Sequence, residues 1–304
     1  MKETRIKVIL LFFSLTVAGS VYADNILQFN PPESLSVKAT SHTVRVESRN
    51  GLKVTDTTDS EADGHIVKTA SGWTLTSRVK SVHLAPGADQ LKKTLTDLLI
   101  GTETSLYINR QGKALNASGY DAMLARLDSG IQTPIKSAIR QVFTPKALAA
   151  RDLTDWNLRV GDLVGRPLKI GRIETRKADG PTDGGPKFSL LSATVIEDTV
   201  RLDGALCLKV GIFSDTDPAR LAVELHKSVP ELIALFQLTD SAVVSLNRQE
   251  IDYSSHLRIT MDAAMLLERA ESLERTMTVA VPGKDGTTST RQTWETVEKA
   301  ISYY

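Results

Sequence analysis

The chain has 304 residues, of which 41% are hydrophobic, and its 37 basic side chains nearly balance its 36 acidic ones. A nearly neutral chain offers no net field for nucleic acid or anionic lipid, so we expect neither class of partner. The single cysteine, Cys207, excludes an intrachain disulfide. The fold must therefore be held by its core alone, and Cys207 is expected to be a buried, inert thiol.

The first 23 residues have the pattern of a cleavable secretory signal peptide. A basic start precedes an apolar stretch over 8–18, and Val21 and Ala23 place small side chains where signal peptidase requires them. The alternative is a membrane anchor, but an apolar core of roughly a dozen residues is short for a bilayer that needs about 20. We predict cleavage between Ala23 and Asp24, which leaves a periplasmic or secreted protein with no transmembrane segment.

The mature chain begins with patterns typical of β-strands. Apolar and polar residues alternate over 35–39 and 43–47, which places one face in the core and the other in water. Asn50-Gly51 predicts a hairpin turn after the second of these strands. The clearest strand pattern covers 72–84, and a second hairpin is predicted around the turn 109–112. Because the apolar side of 72–84 changes near Val82, we expect a bulge or bend there.

Two groups of helices are predicted to interrupt the strands. The first group has three segments, over 120–127, 134–143 and 145–158. The second group begins at Asp217-Pro218 and has two segments, over 221–226 and 230–236. Thr144-Pro145 supplies an N-cap followed by proline at the first helical position, where proline loses no hydrogen bond. Gly161 is expected to end the last helix of the first group.

The segment 178–186, between the two helical groups, is rich in glycine and proline and cannot hold a regular element. It is either a domain linker or a flexible hairpin loop. Strand-like patterns at 168–170 and 188–196 flank it, which favours the loop and a single β-rich domain over 24–304. Asp203-Gly204 then turns the chain into another strand over 205–213.

The C-terminal third permits two interpretations. Leu266, Ala270, Leu273 and Met277 recur at helical spacing, whereas the residues from Leu273 to Val281 alternate as in a strand. Residues 262–273 therefore stay open between helix and strand, and strand is favoured beyond Leu273. The charged run over 268–275 alternates in sign, which is typical of a solvated, salt-bridged face.

Together these elements predict an α+β fold with one large curved, mainly antiparallel β-sheet and two inserted helical segments packed on one face. Helices are expected there because an apolar sheet face must be covered. In architecture, this order of elements resembles the half-barrel lipid carriers of the bacterial envelope, in which helices line the concave side. Whether that side is an open cavity or a filled core distinguishes a carrier from a scaffold, and the sequence leaves this open.

One segment has the spacing of a metal site. Asp59, Glu61 and Asp63, followed by Gly64, resemble the start of an EF-hand loop, in which calcium takes several oxygen ligands on a tight turn. The pattern departs from that loop at Glu61, where Asp or Asn is usual, and at Ala70, where a bidentate Glu closes the shell. The alternative is a solvated acidic turn between strands. No other cofactor is expected.

No pattern supplies a local catalytic site. The five histidines do not form a His-x-His or His-Glu-x-x-His pair, and there is no Gly-x-Ser-x-Gly elbow. Ser77 and Lys80 match Ser-x-x-Lys by letter, but an extended strand points them to opposite faces. We therefore expect a non-catalytic envelope protein that binds an apolar ligand or a partner protein. The alternative is a periplasmic hydrolase of envelope material, with a site assembled only by the fold.

Overall fold

The computed structural model describes residues 26–304 with the exception of 50–51, 89, 131–143, 172, 180–188, 218, 222–250 and 283–287. The predicted signal peptide, the helix over 134–143 and the second helical group beyond Leu221 lie outside the described residues and stay predictions. Most of the glycine-proline loop lies outside them as well. The assignment of 24–304 to a single domain also stays a prediction.

Antiparallel strands dominate the described residues. They are β1 (Ser34–Arg49), β2 (Leu52–Thr69), β3 (Gly72–Leu84), β4 (Glu103–Asn109), β5 (Ala114–Ser118), β6 (Ile173–Asp179), β7 (Ser189–Leu202), β8 (Ala205–Asp215), β9 (Ile251–Asp262), β10 (Glu268–Pro282) and β11 (Thr288–Tyr303). They form one sheet in the order β5-β4-β3-β2-β1-β11-β10-β9-β8-β7-β6. This confirms the predicted antiparallel, mostly β architecture.

The two faces of the sheet follow from its register. Val37 of β1 lies opposite Gly64 of β2 and Tyr303 of β11, and Ala39 lies opposite Ala62 of β2. Directly opposite residues share a face, and successive residues alternate between faces. We call the side that carries Val37 and Ala39 the inner face, and the other side the outer face.

The first hairpin, β1–β2, and the bulge between β2 and β3 both lie close to their predicted positions. The two short strands predicted before Asn50-Gly51 form the single strand β1, and Arg49 pairs with Leu52 of β2 across those two residues. Along β2 and β3 the register shifts between Glu61 and Ala62. Lys80 is the extra residue on β3, so the bulge lies two positions before Val82.

Three helices accompany the sheet in the described part of the chain: α1 (Gln90–Leu99), α2 (Tyr120–Gly130) and α3 (Pro145–Trp156). Thr144 caps α3 as predicted, since its Oγ1 accepts a hydrogen bond from the Ala147 amide at 3.1 Å. A π-helical turn, Asn157–Gly161, continues α3 to the predicted end. Helix α1 was not predicted, although Leu91, Leu95 and Leu98 recur at helical spacing.

The ambiguous segment 262–273 is not a helix. Strand β9 ends at Asp262, whose carboxylate accepts hydrogen bonds from the amides of Ala264 and Met265 at 3.0 and 3.1 Å. These contacts close a tight turn, within which buried Leu266 adopts a φ of 54°. Strand β10 then begins at Glu268 and pairs with β9 and β11 on its two sides.

Asn157 and Trp156 attach the end of α3 to the sheet. The side-chain amide of Asn157 accepts from the Ala114 amide at 3.0 Å and donates to the Ala114 carbonyl at 3.2 Å, as a neighbouring strand would. The indole Nε1 of Trp156 donates to the Gly112 carbonyl at 2.9 Å. The π-helical turn is therefore held across the end of β5, an edge strand of the sheet.

One apolar core joins the two ends of the inner face. Its buried members include Ile66, Trp73, Ile108, Ile196, Ile212 and Ile259. Phe29 connects Trp73 on the sheet with Trp156, at ring-centroid distances of 5.1 and 5.4 Å and nearly perpendicular planes. The first helical segment thus contacts the inner face through the end of α3. The packing of both predicted helical segments on one face stays a prediction.

Among the described residues, no helix combines the length and the hydropathy needed to cross a bilayer.

Candidate functional site

A cavity of about 470 Å³ lies between the inner face of the sheet and the segment from Asp152 to Val160. Its volume falls within the range of about 300–1,000 Å³ that is usual for small-molecule sites. The sheet side, or floor, is largely apolar and includes Val37, Ala39, Ala62, Leu75, Val297 and Ile301. The opposite side, or roof, is formed by the end of α3 and the π-helical turn.

Small residues at matching positions explain the space over the floor. Ala39 pairs with Ala62, and Val37 pairs with Gly64, so two strands present little side-chain volume side by side. Glycine is required at 64, because a Cβ there would come within 2.1 Å of the Thr76 carbonyl oxygen of β3. Because β2 and β3 approach so closely here, position 64 has no side chain, and the floor gains no side-chain volume at this point.

Charged side chains line one side of the cavity. Arg159 of the π-helical turn donates from Nη1 to Glu271 of β10 at 2.5 Å and from Nε to Asp155 at 2.9 Å. Its Nη1 also lies 3.6 Å from a carboxylate oxygen of Glu268. Lys299 of β11 places its Nζ 3.6 Å from Glu271 and 3.9 Å from Glu268. We call these five residues the ion cluster.

The ion cluster stays charged although it is largely buried. Only 7% of the Glu271 side chain and 15% of the Arg159 side chain are exposed. Burial acts to raise the pKa of Glu271, but Arg159 and Lys299 outweigh it and hold that pKa below its ordinary value. Burial likewise acts to lower the pKa of Arg159, and the surrounding carboxylates raise it instead. By formal charge the cluster has three acidic and two basic members.

A separate polar pair, Tyr120 and Asp152, lies at the roof of the cavity. The Tyr120 hydroxyl of α2 donates a hydrogen bond to the Asp152 carboxylate of α3. Burial raises the pKa of Asp152, against the opposing effect of that hydrogen bond. Burial and the nearby Asp152 carboxylate also raise the pKa of Tyr120. Asp152 therefore binds a proton more readily than an ordinary aspartate does.

The three predicted calcium ligands lie on a strand, not on a turn. Asp59, Glu61 and Asp63 occupy alternate positions in the middle of β2, so the turn on which the prediction rested is wrong. Alternate residues of a strand lie about 6–7 Å apart, and such a strand does not wrap its carboxylates around one ion. Within the described ranges, no group of three or more His, Cys, Asp or Glu side chains could hold a metal.

Each of these carboxylates faces a basic side chain of a neighbouring strand: Asp59 meets His42 at 2.6 Å, Glu61 meets Lys38 at 4.0 Å and Asp63 meets Lys80 at 2.9 Å. The hydrogen bond from Lys80 lowers the pKa of Asp63. A cross-strand ladder of ion pairs accounts for the acidic spacing of this segment. Calcium binding stays a prediction, without the loop that first suggested it.

Three other residues singled out in the sequence, Ser77, Lys80 and Cys207, lie where the strand pattern places them. Ser77 lines the cavity, whereas Lys80, on the same strand, pairs with Asp63. Cys207 of β8 is a buried free thiol, and burial raises its pKa. None of these positions assembles a nucleophile with a base.

The charged run over 268–275 is not a solvated face. Glu271 is buried, and its partner Arg159 lies 112 residues away in the sequence. The signal that could have shown this is the strand period, which places Glu271 on the same face as Leu273 and Met277. Because the same segment also fits helical spacing, the strand period alone did not identify Glu271 as an inner-face residue.

No protein-family model matches the sequence, and no curated protein matches it either. Solved structures give weak likenesses at 8% identity. A lipovitellin structure has a TM-score of 0.43 and matches 90% of this chain, which spans only 26% of the lipovitellin chain. DynF from Micromonospora chersina has a TM-score of 0.21, with 92% of this chain and 87% of DynF covered. A DUF1329 family protein from Desulfovibrio piger has a TM-score of 0.15, with 88% and 85% covered.

Proposed function

We propose that this chain is a non-catalytic, exported envelope protein that holds the apolar part of a ligand in the cavity beneath α3. The observation that carries the proposal is the largely apolar cavity of about 470 Å³ between the sheet and the roof. A few convergent polar groups beside an apolar surface are usual in ligand sites. Export rests on the signal-peptide pattern and places the mature chain in the periplasm or outside the cell.

The cavity favours a carrier over a scaffold. In a scaffold, large side chains would fill the space between floor and roof, because protein interiors are close-packed. Here Ala39, Ala62 and Gly64 occupy adjacent floor positions, and the side chains of the described residues leave a cavity above them. If the bound molecule is a partner protein instead of a small ligand, we expect it to cover the mouth of the cavity.

Native mass spectrometry of gently purified mature protein tests the proposal directly. We expect an added mass of lipid size that is lost on denaturation. The second readout is the fluorescence of N-phenyl-1-naphthylamine, a neutral apolar probe, which should rise on addition of the protein. A clean apo mass together with no probe binding would exclude the carrier.

A matched pair of substitutions locates the binding site. Ala39→Phe fills the cavity floor, whereas Ala300→Phe adds the same volume to an exposed position of β11 on the outer face. We expect the first variant to lose most of the probe fluorescence and the second to keep it. Circular dichroism spectra of both variants establish that the comparison is made between folded proteins.

The alternative, a hydrolase of envelope material, has one observation in its favour. Asp152 lines the cavity with a raised pKa, which is a property of many acid catalysts. Its test is incubation with isolated peptidoglycan and with phospholipid vesicles, followed by mass spectrometry of released products. Products that disappear with Asp152→Asn would establish the hydrolase and overturn the non-catalytic proposal.

A further inference from the structure

We propose that the ligand is a cationic amphiphile, whose apolar chain lies on the floor and whose ammonium group lies at the ion cluster. This inference rests on the proposed function and adds the chemical class of the ligand. Its basis is the distribution of charge around the cavity, together with the position of the ion cluster beside the apolar floor.

The lining of the cavity is acidic. The charged lining residues, apart from Asp63 with its side chain on the outer face, are Asp152, Asp155, Glu268, Glu271, Arg159 and Lys299 in the described part of the chain. Four are carboxylic acids and two are basic. Three of these carboxylic acids and both basic side chains belong to the ion cluster, so the cluster has one more acidic than basic member. That excess favours a positively charged ligand group over a negatively charged one.

Both cations of the ion cluster are already committed to carboxylates. Arg159 contacts three of them, and Lys299 lies within 4.0 Å of two. A phosphate or carboxylate headgroup would have to displace one of these internal partners and would meet the others at close range. Like charges brought together in a partly buried site are strongly unfavourable.

An ammonium group has acceptors available at the same place. Asp155 is the most accessible member of the ion cluster, with 53% of its side chain exposed. An ammonium group donates up to three hydrogen bonds, which suits a site bordered by several carboxylate oxygens. It would also restore neutrality to a cluster that carries one net negative charge.

The apolar floor continues directly from the ion cluster. Lys299 stands between Val297 and Ile301 on the inner face of β11, and all three line the cavity. A chain that starts at the cluster therefore runs over apolar side chains without crossing another charged group of β11. The headgroup of one amphiphile can therefore lie at the ion cluster while its apolar chain lies on the floor.

The test compares amphiphiles of one chain length below their micelle concentrations. Isothermal titration calorimetry with dodecylammonium, dodecanoate and dodecanol should give the tightest binding for dodecylammonium, by about tenfold over dodecanoate. Butylammonium should bind far more weakly, since it lacks the chain. Equal or tighter binding of dodecanoate would overturn the inference and leave the carrier standing. Binding of none of the three would overturn the carrier as well.

Asp155→Asn tests the position of the headgroup, because it removes the most exposed charge with little change of shape. We expect it to weaken dodecylammonium binding several-fold and to leave dodecanol binding unchanged. Glu298→Gln is the control, since Glu298 is an exposed carboxylate on the outer face of β11. A preference for dodecylammonium that survives Asp155→Asn unchanged would place the headgroup elsewhere and overturn the assignment to the ion cluster.

Discussion

Two regions of the sheet are packed in different ways. In β7 and β8, successive residues such as Val195 and Ile196, or Ile212 and Phe213, are all buried, so both faces of these strands are covered. In β1, no described side chain from Ser34 to Ser48 is fully buried. Strands β7 and β8 are thus a close-packed anchor, whereas β1, in the middle of the sheet, provides part of the cavity floor. One continuous sheet therefore combines close-packed strands with strands that border a cavity.

The largest expected effect is in the anchor. Phe213→Ala should lower the free energy of unfolding by about 3–5 kcal/mol, because it leaves a cavity in a close-packed region. Val37→Ala, in the cavity floor, should cost less than about 1.5 kcal/mol, since its side chain already borders open space. Urea denaturation followed by circular dichroism measures both values. Equal costs would contradict the distinction between anchor and floor.

Loss of a charge in the ion cluster should cause the next largest decrease in the free energy of unfolding. Glu271→Ala leaves Arg159 buried beside fewer carboxylates, and removal of one partner of a buried ion pair costs about 3–5 kcal/mol. Because Lys299 and Glu268 still share the site, we expect the lower end of that range. Glu298→Ala, at an exposed position, is the control and should cost less than about 0.5 kcal/mol by the same urea measurement.

The pH dependence of stability sharpens the comparison further. The pKa of Glu271 is lower in the folded protein than its ordinary value of 4.5. Its contribution is therefore fully present above about pH 4.5 and is lost as pH falls through the folded pKa. The melting temperature of the wild type should fall more steeply below pH 4.5 than that of Glu271→Gln. Parallel curves would show that the ion cluster does not contribute through its charge.

The smallest expected effect concerns the roof. Thr144→Ala removes the side-chain oxygen that caps α3 and should cost about 1 kcal/mol. Thr154→Ala, in the exposed face of the same helix, is the matched control and should be nearly neutral, because alanine favours helix. Thermal melts measure both. If α3 positions the roof, Thr144→Ala should also weaken binding of N-phenyl-1-naphthylamine, whereas Thr154→Ala should not.

The sequence predicts the elements whose signals are local. The Asn50-Gly51 pattern predicts the first hairpin, and Thr144-Pro145 predicts the start of α3, because each signal depends on adjacent residues. The ion cluster depends on Arg159 and Glu271, which only the completed fold brings together. The cavity likewise depends on the register between Ala39 and Ala62, which alternation alone does not determine. Short-range patterns therefore predict the strands and helices but not the site.

The placement of β11 sets the order in which the molecule can be completed. This strand lies between β1 and β10, and its pairing with both joins the hairpins made early in the chain to those made late. Until β11 is available, β1 and β10 each keep an unpaired row of backbone amides and carbonyls on one side. A chain synthesised from its N-terminus therefore leaves the two halves of the sheet unjoined until β11 has been made.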